Sequence, residues 1–350
     1  MLTNAPLGFI QEFALSVLEK APVIVLGSGA SAAHGIPGMW PLGQHLRQLA
    51  IPGGWSSYEL QEWQIFTGEI CKGADLESAL GKARLSEGQT NIIVSETRKF
   101  LLPYDISAFN AVLENRHAFP LTSLYDHLFR STHRTLNVVT TNYDRIAEYA
   151  ADASGYSHFT GFEYGHLQHR AKDSGLRICS AGQQTRTVCV WKVHGSFDWF
   201  KDDQNQIIAA RALFHTPAGL TPLMVTPGIG KYRLTHGEPF RTIFANADRA
   251  LEAAESYFCI GYGFNDEHVQ SKLIERCENT SVPLLLITKN VSPTTKKFLN
   301  RGLCKQFLTL EDSEGGTLAT SSKHPLGIKL PGENIWQLLP FLDRVVGVTP

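Results

Sequence analysis

The sequence lacks two features that would each point to a common class of protein. Among its 350 residues, 32 lysines and arginines nearly balance 33 aspartates and glutamates, which gives a formal net charge of -1. A nucleic-acid-binding face needs an excess of basic residues, so direct binding of nucleic acid is not expected. No apolar run approaches the roughly 20 residues of a membrane-spanning helix. We therefore expect a cytoplasmic protein without a membrane partner.

The sequence also lacks the spacing of a metal site. Its six cysteines form no Cys-x-x-Cys pair, the spacing that is typical of zinc knuckles. Histidines such as His34, His45 and His268 have no acidic or cysteine partners at ligand spacing. The sequence therefore predicts no metal and no zinc ribbon.

Short apolar runs are present, and most are separated by segments of helical spacing. The first, PVIVLGSG, is apolar on both faces of a strand, which is typical of a buried parallel sheet. Strands that alternate with helices predict an α/β fold with a doubly wound parallel sheet. The six predicted strands lie at 22–29, 136–144, 188–200, 222–228, 256–268 and 282–290.

Two longer segments stand apart from this alternation. Residues from about 51 to 133 have mainly helical spacing, which predicts a helical insertion. We assign residues 1–290 to one domain that includes this insertion, and residues 291–350 to a C-terminal extension. The extension contains the amphipathic stretch GENIWQLLPFLDRVVGV, which could dock on the core or on another subunit of an oligomer.

Glycines and polar residues follow five of the predicted strands, in the motifs GSG, TTNYD, HGS, TPG and GYGFND. Right-handed crossovers place the carboxyl ends of parallel strands at one edge of the sheet. Ligands of open parallel sheets bind beyond that edge. The five motifs together therefore predict a binding site there.

The first motif, GSGAS at Gly27 to Ser31, lies at a strand-to-helix turn. Backbone N–H groups at such a turn can bind phosphate, and small residues allow close approach. The motif is neither a full GxGxxG nor a P-loop, because GK[ST] is missing. We predict contact with a phosphate or dinucleotide, with a plain tight turn as the alternative.

The other motifs supply side chains for chemistry. Asn142 can hydrogen-bond a carboxamide or hydroxyl, while Asn142 or Asp144 could cap a helix. His194 at a strand end suits a general base near neutral pH, although a lone histidine is more often a surface or core residue. Gly261 and Gly263 could admit a ribose, or could form a structural turn.

Taken together, GSGAS followed by GIPGMW, TTNYDRI, HGS and GYGFND resemble the sirtuin superfamily. They most resemble the divergent sirtuin-like domains of bacterial anti-phage defence proteins. The resemblance spans residues 22–266 with the motifs in the right order and spacing, and the motifs are specific as a set and weak singly. It implies a Rossmann-like NAD-binding sheet with a helical module.

The resemblance implies a role for each matching residue. Asn142 would lie near the nicotinamide ribose, His194 would act as the base on the ribose side, and Asp144 would support the loop of Asn142. The residues implied to contact NAD are Gly27, Ser28, Gly29, Ala30, Ser31, Pro37, Trp40, Thr141, Gly195, Ser196, Gly261, Tyr262 and Phe264.

The sequence departs from deacylase sirtuins at several points. Those enzymes carry GIPDFR where this chain has GIPGMW, so Gly38 replaces an aspartate that helps to hold the nicotinamide amide, and Trp40 replaces an arginine. A main-chain group near Pro37 or a polar residue of the helical insertion could replace that aspartate. Thr141 stands in place of the usual glutamine. No cysteine lies between Gly195 and Pro222, where deacylases hold a four-cysteine zinc ribbon.

These departures match the NAD-hydrolysing defence branch better than a deacylase. The resemblance therefore implies an NAD+ hydrolase that acts in abortive infection, with NAD+ as its substrate. It also implies a homo-oligomer and a HerA-like ATPase as partner. Two alternatives remain open, namely a deacylase or ADP-ribosyltransferase with a protein substrate, and a non-catalytic module that senses NAD or ADP-ribose.

Overall fold

The computed structural model describes residues 5–171, 178–211, 214–226 and 237–347. The helices are α1 (Ala5–Leu18), α2 (Ser28–Ala32), α3 (Met39–Arg47), α4 (Ser57–Cys71), α5 (Leu76–Lys82), α6 (Glu87–Glu114), α7 (Pro120–Leu128), α8 (Ile146–Ala153), α9 (Phe240–Ala253), α10 (Glu267–Asn279), α11 (Pro293–Leu299) and α12 (Leu338–Phe341), which a π-helical turn at Leu342–Val346 continues.

The strands are β1 (Val23–Leu26), β2 (Thr135–Thr140), β3 (Ser157–Phe159), β4 (Leu167–His169), β5 (Cys179–Ser180), β6 (Gln183–Gln184), β7 (Thr187–Lys192), β8 (Gly195–Asp202), β9 (Ile207–Ala210), β10 (Leu220–Met224), β11 (Tyr257–Ile260), β12 (Leu284–Thr288), β13 (Phe307–Ser313), β14 (Gly316–Ser321) and β15 (Ile328–Pro331). Nine of them form the main sheet, in the order β15-β14-β13-β12-β11-β1-β2-β7-β3. All neighbouring strands from β13 to β3 are parallel, which confirms the predicted α/β fold.

The central strand β1 shows why the sheet is covered on both faces. Successive side chains of a strand point to opposite faces. Ile24 and Leu26 accordingly pack into the core formed with α1, α6, α7 and α8. Val23 and Val25 pack into the opposite core, formed with α9, α10 and α11. A strand that is apolar at every position therefore fits only a sheet buried between two helical layers.

The helical region between β1 and β2 begins its longer helices with side-chain caps. Ser56 and Glu59 form a capping box at the start of α4, and Ser86 with Gln89 forms another at the start of α6. Such reciprocal bonds satisfy backbone donors that a helix leaves free at its first turn. They fix where α4 and α6 begin, and α6 packs against α3 and α8.

One predicted strand of the parallel sheet is wrong, and another is divided in two. Residues 188–200 form β7 in the main sheet and β8 in a second sheet, because Gly195 has a φ of +89° and turns the chain. The predicted strand at 222–228 contributes β10, which pairs with β8 antiparallel at the edge of the sheet β10-β8-β9-β4. Pro222 has no N–H, which suits an edge strand. Residues 227 and 228 of the TPG motif lie outside the described residues.

The residues after 290 add strands that the sequence analysis did not predict. β13 pairs with β12 in parallel, and β14 and β15 follow as antiparallel strands. After them, Phe341 is fully buried and packs on Phe258 of the central sheet, with ring centroids 5.4 Å apart. The amphipathic stretch thus contacts the core of its own chain.

Among the residues that the structure describes, no helix is both long enough and apolar enough to cross a membrane.

Candidate functional site

Four of the motifs meet at one edge of the main sheet. β11, β1, β2 and β7 are consecutive neighbours, so the segments that follow them lie side by side. Together with residues from α3, α5 and α6 they line a cleft of about 190 Å³. The residues with predicted roles that line it are Gly27, Ser28, Ser31, Pro37, Thr141, Asn142, Asp144, His194 and Tyr262.

Asn142 is held at the cleft by both hydrogens of its amide. Its Nδ2 donates to the carbonyl oxygen of Gly27 at 2.9 Å and to Oγ of Ser31 at 2.8 Å. Its backbone N–H donates to Oγ1 of Thr140 at 3.1 Å. Because the donors are used within the protein, Oδ1 is the part of this amide that can accept a hydrogen bond from a ligand.

Asp144 lies behind Asn142 and supports the same turn. Ser31 Oγ donates to Asp144 Oδ2 at 2.6 Å, so one hydroxyl joins the two motif residues. The other carboxylate oxygen accepts the backbone N–H of Ile146 at 3.2 Å, at the start of α8. Asp144 therefore contacts both the hydroxyl that holds Asn142 and the first residue of α8, whose N-cap position is occupied by Arg145.

A buried ion pair lies on the far side of Asp144. Lys192 has no exposed surface, and its Nζ donates to the backbone carbonyl of Asp144 and lies 3.2 Å from Glu148 Oε1. Burial raises the pKa of both carboxyls, Asp144 and Glu148, against the opposing effect of the Lys192 charge. The loop that carries Asn142 is thus supported by Lys192 and Glu148, two groups whose burial in charged form costs free energy.

This burial predicts a pH-dependent contribution of Asp144 to stability. A carboxyl with a raised pKa binds a proton in the folded state that the unfolded chain releases, so its contribution to stability is complete below the ordinary value of 3.8 and is lost as the pH rises through the raised pKa. Asp144→Asn should remove that part of the decline, about 1.4 kcal/mol for each tenfold difference in proton affinity. Melting temperatures measured from about pH 4 to about pH 8 test this. The exposed Asp312→Asn is the control, and an unchanged slope in Asp144→Asn would contradict the prediction.

His194 faces a carboxylate across the cleft. Its Nε2 lies 2.8 Å from Oδ2 of Asp266, and both side chains are more than nine-tenths buried. Asp266 also accepts the backbone N–H of Val269 at 3.3 Å, which places it at the first turn of α10.

The glycines of GSGAS have a structural explanation. A Cβ on Gly27 would lie 2.3 Å from the carbonyl oxygen of Gly261, and one on Gly29 would lie 2.8 Å from the Cα of Gly261. The N–H groups of Gly27 and Gly29 donate to Ile260 and Gly261. Two of the turn's donors are therefore occupied by the neighbouring strand end, and the turn's small residues allow two backbones to touch.

Seven residues with predicted NAD contacts do not line the cleft, and each has another position. Gly29, Ala30 and Gly261 form the contact between the two turns, and Gly195 forms the bend before β8. Ser196 is buried, and its hydroxyl donates to the backbone carbonyl of Tyr143 at 3.4 Å.

The last two of the seven are the aromatic residues. Trp40 is 69% exposed near the start of α3. Phe264 is fully buried, with its ring centroid 4.9 Å from that of Tyr262 and 5.6 Å from that of Phe298. The predicted contacts of both with NAD remain predictions.

Several lining residues were not predicted. Asp266 is the most important, and the motif GYGFND contained it, but only the fold shows that it faces His194. Glu77 of α5 lines the cleft together with Gly38. A polar residue of the helical region therefore lies in the same cleft as Gly38, the position at which deacylase sirtuins carry an aspartate. Leu101 and Phe197 add apolar surface. No local signal in the sequence distinguishes these side chains from ordinary helix and core residues.

The cleft also contains a buried phenol. The hydroxyl of Tyr262 has no hydrogen-bond partner among the described residues, and burial raises its pKa well above the ordinary value. It therefore remains a neutral donor at physiological pH. Within the described ranges, no group of three or more His, Cys, Asp or Glu side chains could hold a metal ion.

Residues 136–301 match the family model of the SIR2-like domain. The matched segment begins in β2 and ends just after α11, so it contains Asn142, Asp144, His194 and Asp266. The GSGAS turn precedes it. This part of the chain is thus similar to the SIR2-like domain. No curated protein matches the sequence significantly.

The structure is similar to solved structures of Sir2 proteins. A Sir2 homologue variant in complex with 2'-O-acetyl ADP ribose is 14% identical, with 78% of this chain and 82% of that chain covered and a TM-score of 0.42. Sir2Tm bound to a propionylated peptide is 10% identical, with 97% and 99% covered and a TM-score of 0.45. A Sir2 homologue in complex with NAD is 14% identical, with 85% and 87% covered and a TM-score of 0.39.

Proposed function

We propose, on the premise that residues 136–301 are similar to the SIR2-like domain, that the protein is an NAD+ hydrolase that releases nicotinamide and ADP-ribose. The observation that carries this proposal is the position of Asn142 and His194. They follow the adjacent parallel strands β2 and β7 and line one cleft. An amide oxygen and an imidazole that share a cleft can orient a hydroxyl or a water and accept its proton.

The reaction breaks the glycosidic bond between nicotinamide and C1′ of the ribose. Oxocarbenium character develops at C1′, and groups that orient the ribose or carry negative charge stabilise it. In our proposal Oδ1 of Asn142 accepts from a ribose hydroxyl or from the attacking water. His194 acts as the base on that side, and Ser31 and Asp144 hold Asn142 in place.

Asp266 is a positioning residue in this scheme. Because its carboxylate faces Nε2 of His194, it favours the tautomer with the proton on that nitrogen. The second ring nitrogen, Nδ1, is then the basic one. An aspartate in this place serves the same purpose as the orienting carboxylate of hydrolase triads, namely to fix one tautomer and one ring orientation.

Water is the acceptor in this proposal because the chain has no cysteine between Gly195 and Pro222. The zinc ribbon of deacylases forms one wall of the acyl-lysine groove. Here β8, β9 and β10 form antiparallel pairs in this part of the chain. The absence of the cysteines supports hydrolysis over deacylation.

The proposal is tested by incubating purified protein, alone and with the candidate ATPase partner, with NAD+ and no peptide, and by resolving the products. Nicotinamide and ADP-ribose are expected in equal amounts, and Asn142→Ala should lower their formation by at least about a hundredfold. The exposed Asn279→Ala is the matched control. Consumption of NAD+ only in the presence of an acylated peptide would contradict hydrolysis. Tight NAD+ binding without turnover, even with a partner present, would favour the sensing module.

We also propose that the protein acts as the effector of an anti-phage system in the cytoplasm. Its resemblance to the short sirtuin-like defence proteins supports a homo-oligomer that pairs with a HerA-like ATPase. Unrestrained NAD+ hydrolysis would kill the host, so activity should depend on assembly with that partner. The same product assay, repeated with the ATPase added, tests this. Equal rates with and without it would contradict regulation by this partner.

A further inference from the structure

A second cavity, of about 320 Å³, lies on the other side of the Asp144 turn. It is bounded by α6, α8 and the segments next to β3, β8 and β9. Its wall combines aromatic rings with charged groups. The ring centroids of Phe109 and Tyr149 are 4.8 Å apart, and the angle between the ring planes is 37°. None of the residues assigned to the NAD+ cleft lines this cavity.

The basic groups of the cavity are already engaged. Arg145 lies against Asp105, with Nε and Nη2 at 3.0 and 2.5 Å from Oδ2. Arg211 lies against Nε2 of His158, whose Nδ1 lies 2.6 Å from Asp152. These contacts engage Nε and Nη2 of Arg145 and Nη2 of Arg211 within the protein.

Two acidic groups of the cavity keep acceptor capacity. Glu148 and Asp198 are both at least nine-tenths buried, and Oε2 of Glu148 and Oδ1 of Asp198 have no hydrogen-bond partner in the described part of the chain. A buried carboxylate oxygen without a donor carries a large desolvation cost. A ligand that supplies N–H groups would offset that cost.

We propose that this cavity binds a planar nitrogen base with two or more N–H donors, such as an amidine, a guanidine or an aminopurine. The N–H groups pair with Glu148 and Asp198, and the flat ring packs on Phe109 and Tyr149. Carboxylates recognise such donors by charge-assisted hydrogen bonds, and aromatic faces attract flat cations.

The cavity is linked to the NAD+ cleft by a chain of contacts through Lys192. Glu148 Oε1 lies 3.2 Å from Lys192 Nζ, and Lys192 donates to the backbone carbonyl of Asp144. A ligand that binds Glu148 therefore competes with its contact to Lys192, the lysine that supports the Asn142 loop. This coupling, unlike the binding itself, rests on the proposed function, and we expect it to change the rate of NAD+ hydrolysis.

Binding is tested by calorimetric titration of the full chain with benzamidine. Benzoate is the matched control ligand, because it has the same ring with acceptors in place of donors. We expect benzamidine to bind, benzoate not to bind, and Asp198→Asn to weaken benzamidine about tenfold, the value of one charge-assisted hydrogen bond. The exposed Asp203→Asn should bind as the wild type does. Equal affinities of Asp198→Asn and wild type, or binding of both ligands, would overturn the proposal.

A second variant and a kinetic assay complete the test of this cavity. If Asp198→Asn does not fold, as judged by its melting temperature, Phe109→Ala tests the aromatic part of the same wall and should weaken benzamidine several-fold. In the NAD+ assay, benzamidine at its wild-type Kd should change kcat in the wild type and have a much smaller effect in Asp198→Asn. Purely competitive inhibition against NAD+ would place benzamidine in the cleft and overturn the proposal. A chain that hydrolyses no NAD+ even with the ATPase partner present would contradict the proposed function while the calorimetric result stands.

Discussion

Replacing His194 by alanine is expected to lower kcat/KM for NAD+ hydrolysis by about 10²- to 10⁴-fold, the usual contribution of a general base. The imidazole lines the cleft beside Asn142 and faces Asp266 at 2.8 Å. Its removal takes away the proton acceptor and the imidazole that faces the carboxylate of Asp266. The measurement is the steady-state formation of nicotinamide, with folding checked by the melting temperature.

Asp266→Asn separates the base from the group that positions it. Asparagine caps a helix as well as aspartate does, so the contact with Val269 N–H at the start of α10 should persist. Because only the tautomer and orientation of His194 are affected, we expect a smaller loss than in His194→Ala, and in kcat rather than KM. The exposed His324→Ala serves as a control. Wild-type turnover in His194→Ala would refute its assignment as the base.

Gly27→Ala is expected to lower the free energy of unfolding by about 3 kcal/mol or more, at the upper end of overpacking effects. A Cβ at this position would lie 2.3 Å from the carbonyl oxygen of Gly261 and 2.6 Å from the Cα of Tyr262. Both atoms belong to the backbone, so neither can move as a flexible side chain does. The strand ends of β1 and β11 would have to separate, and the cleft between them would change shape.

Gly38→Ala is the matched control for this variant. Gly27 and Gly38 both precede a helix, at α2 and α3, and both have extended backbone angles with negative φ. Both line the cleft, but a Cβ on Gly38 meets no atom within 4 Å. Chemical denaturation should therefore show a large loss for Gly27→Ala and a small one for Gly38→Ala. Equal losses would mean that the contact with Gly261 does not determine the need for glycine.

The sequence predicted the main sheet and the edge that holds the cleft because those features follow from local patterns. PVIVLGSG and VPLLLITKN are apolar at nearly every position, which fits a strand covered on both faces. Parallel strands place their carboxyl ends at one edge whatever the detail of the loops. Asn142, Asp144 and His194 could therefore be placed together before their distances were known.

The second sheet could not be predicted in the same way. Residues 188–200 contain one apolar pattern interrupted by a glycine, and nothing local states that Gly195 turns the chain into another sheet. The strands after residue 290 contain both apolar and polar residues, and the pairing of β13 with β12 depends on a long-range contact. Such pairings are decided by the edge that the sheet leaves open.

By itself, the sequence determined the fold class, the edge of the sheet at which the site lies and the residue types that meet there. Only the tertiary structure decided which contacts each of them makes. It showed that Gly27, Gly29 and Gly261 are needed for contact between two backbones, that Asp266 faces His194, and that Lys192 links the turn to a second cavity. The physical reason is that secondary structure and strand direction follow from periodicity within a few residues. Contacts between distant segments depend on how the whole chain packs.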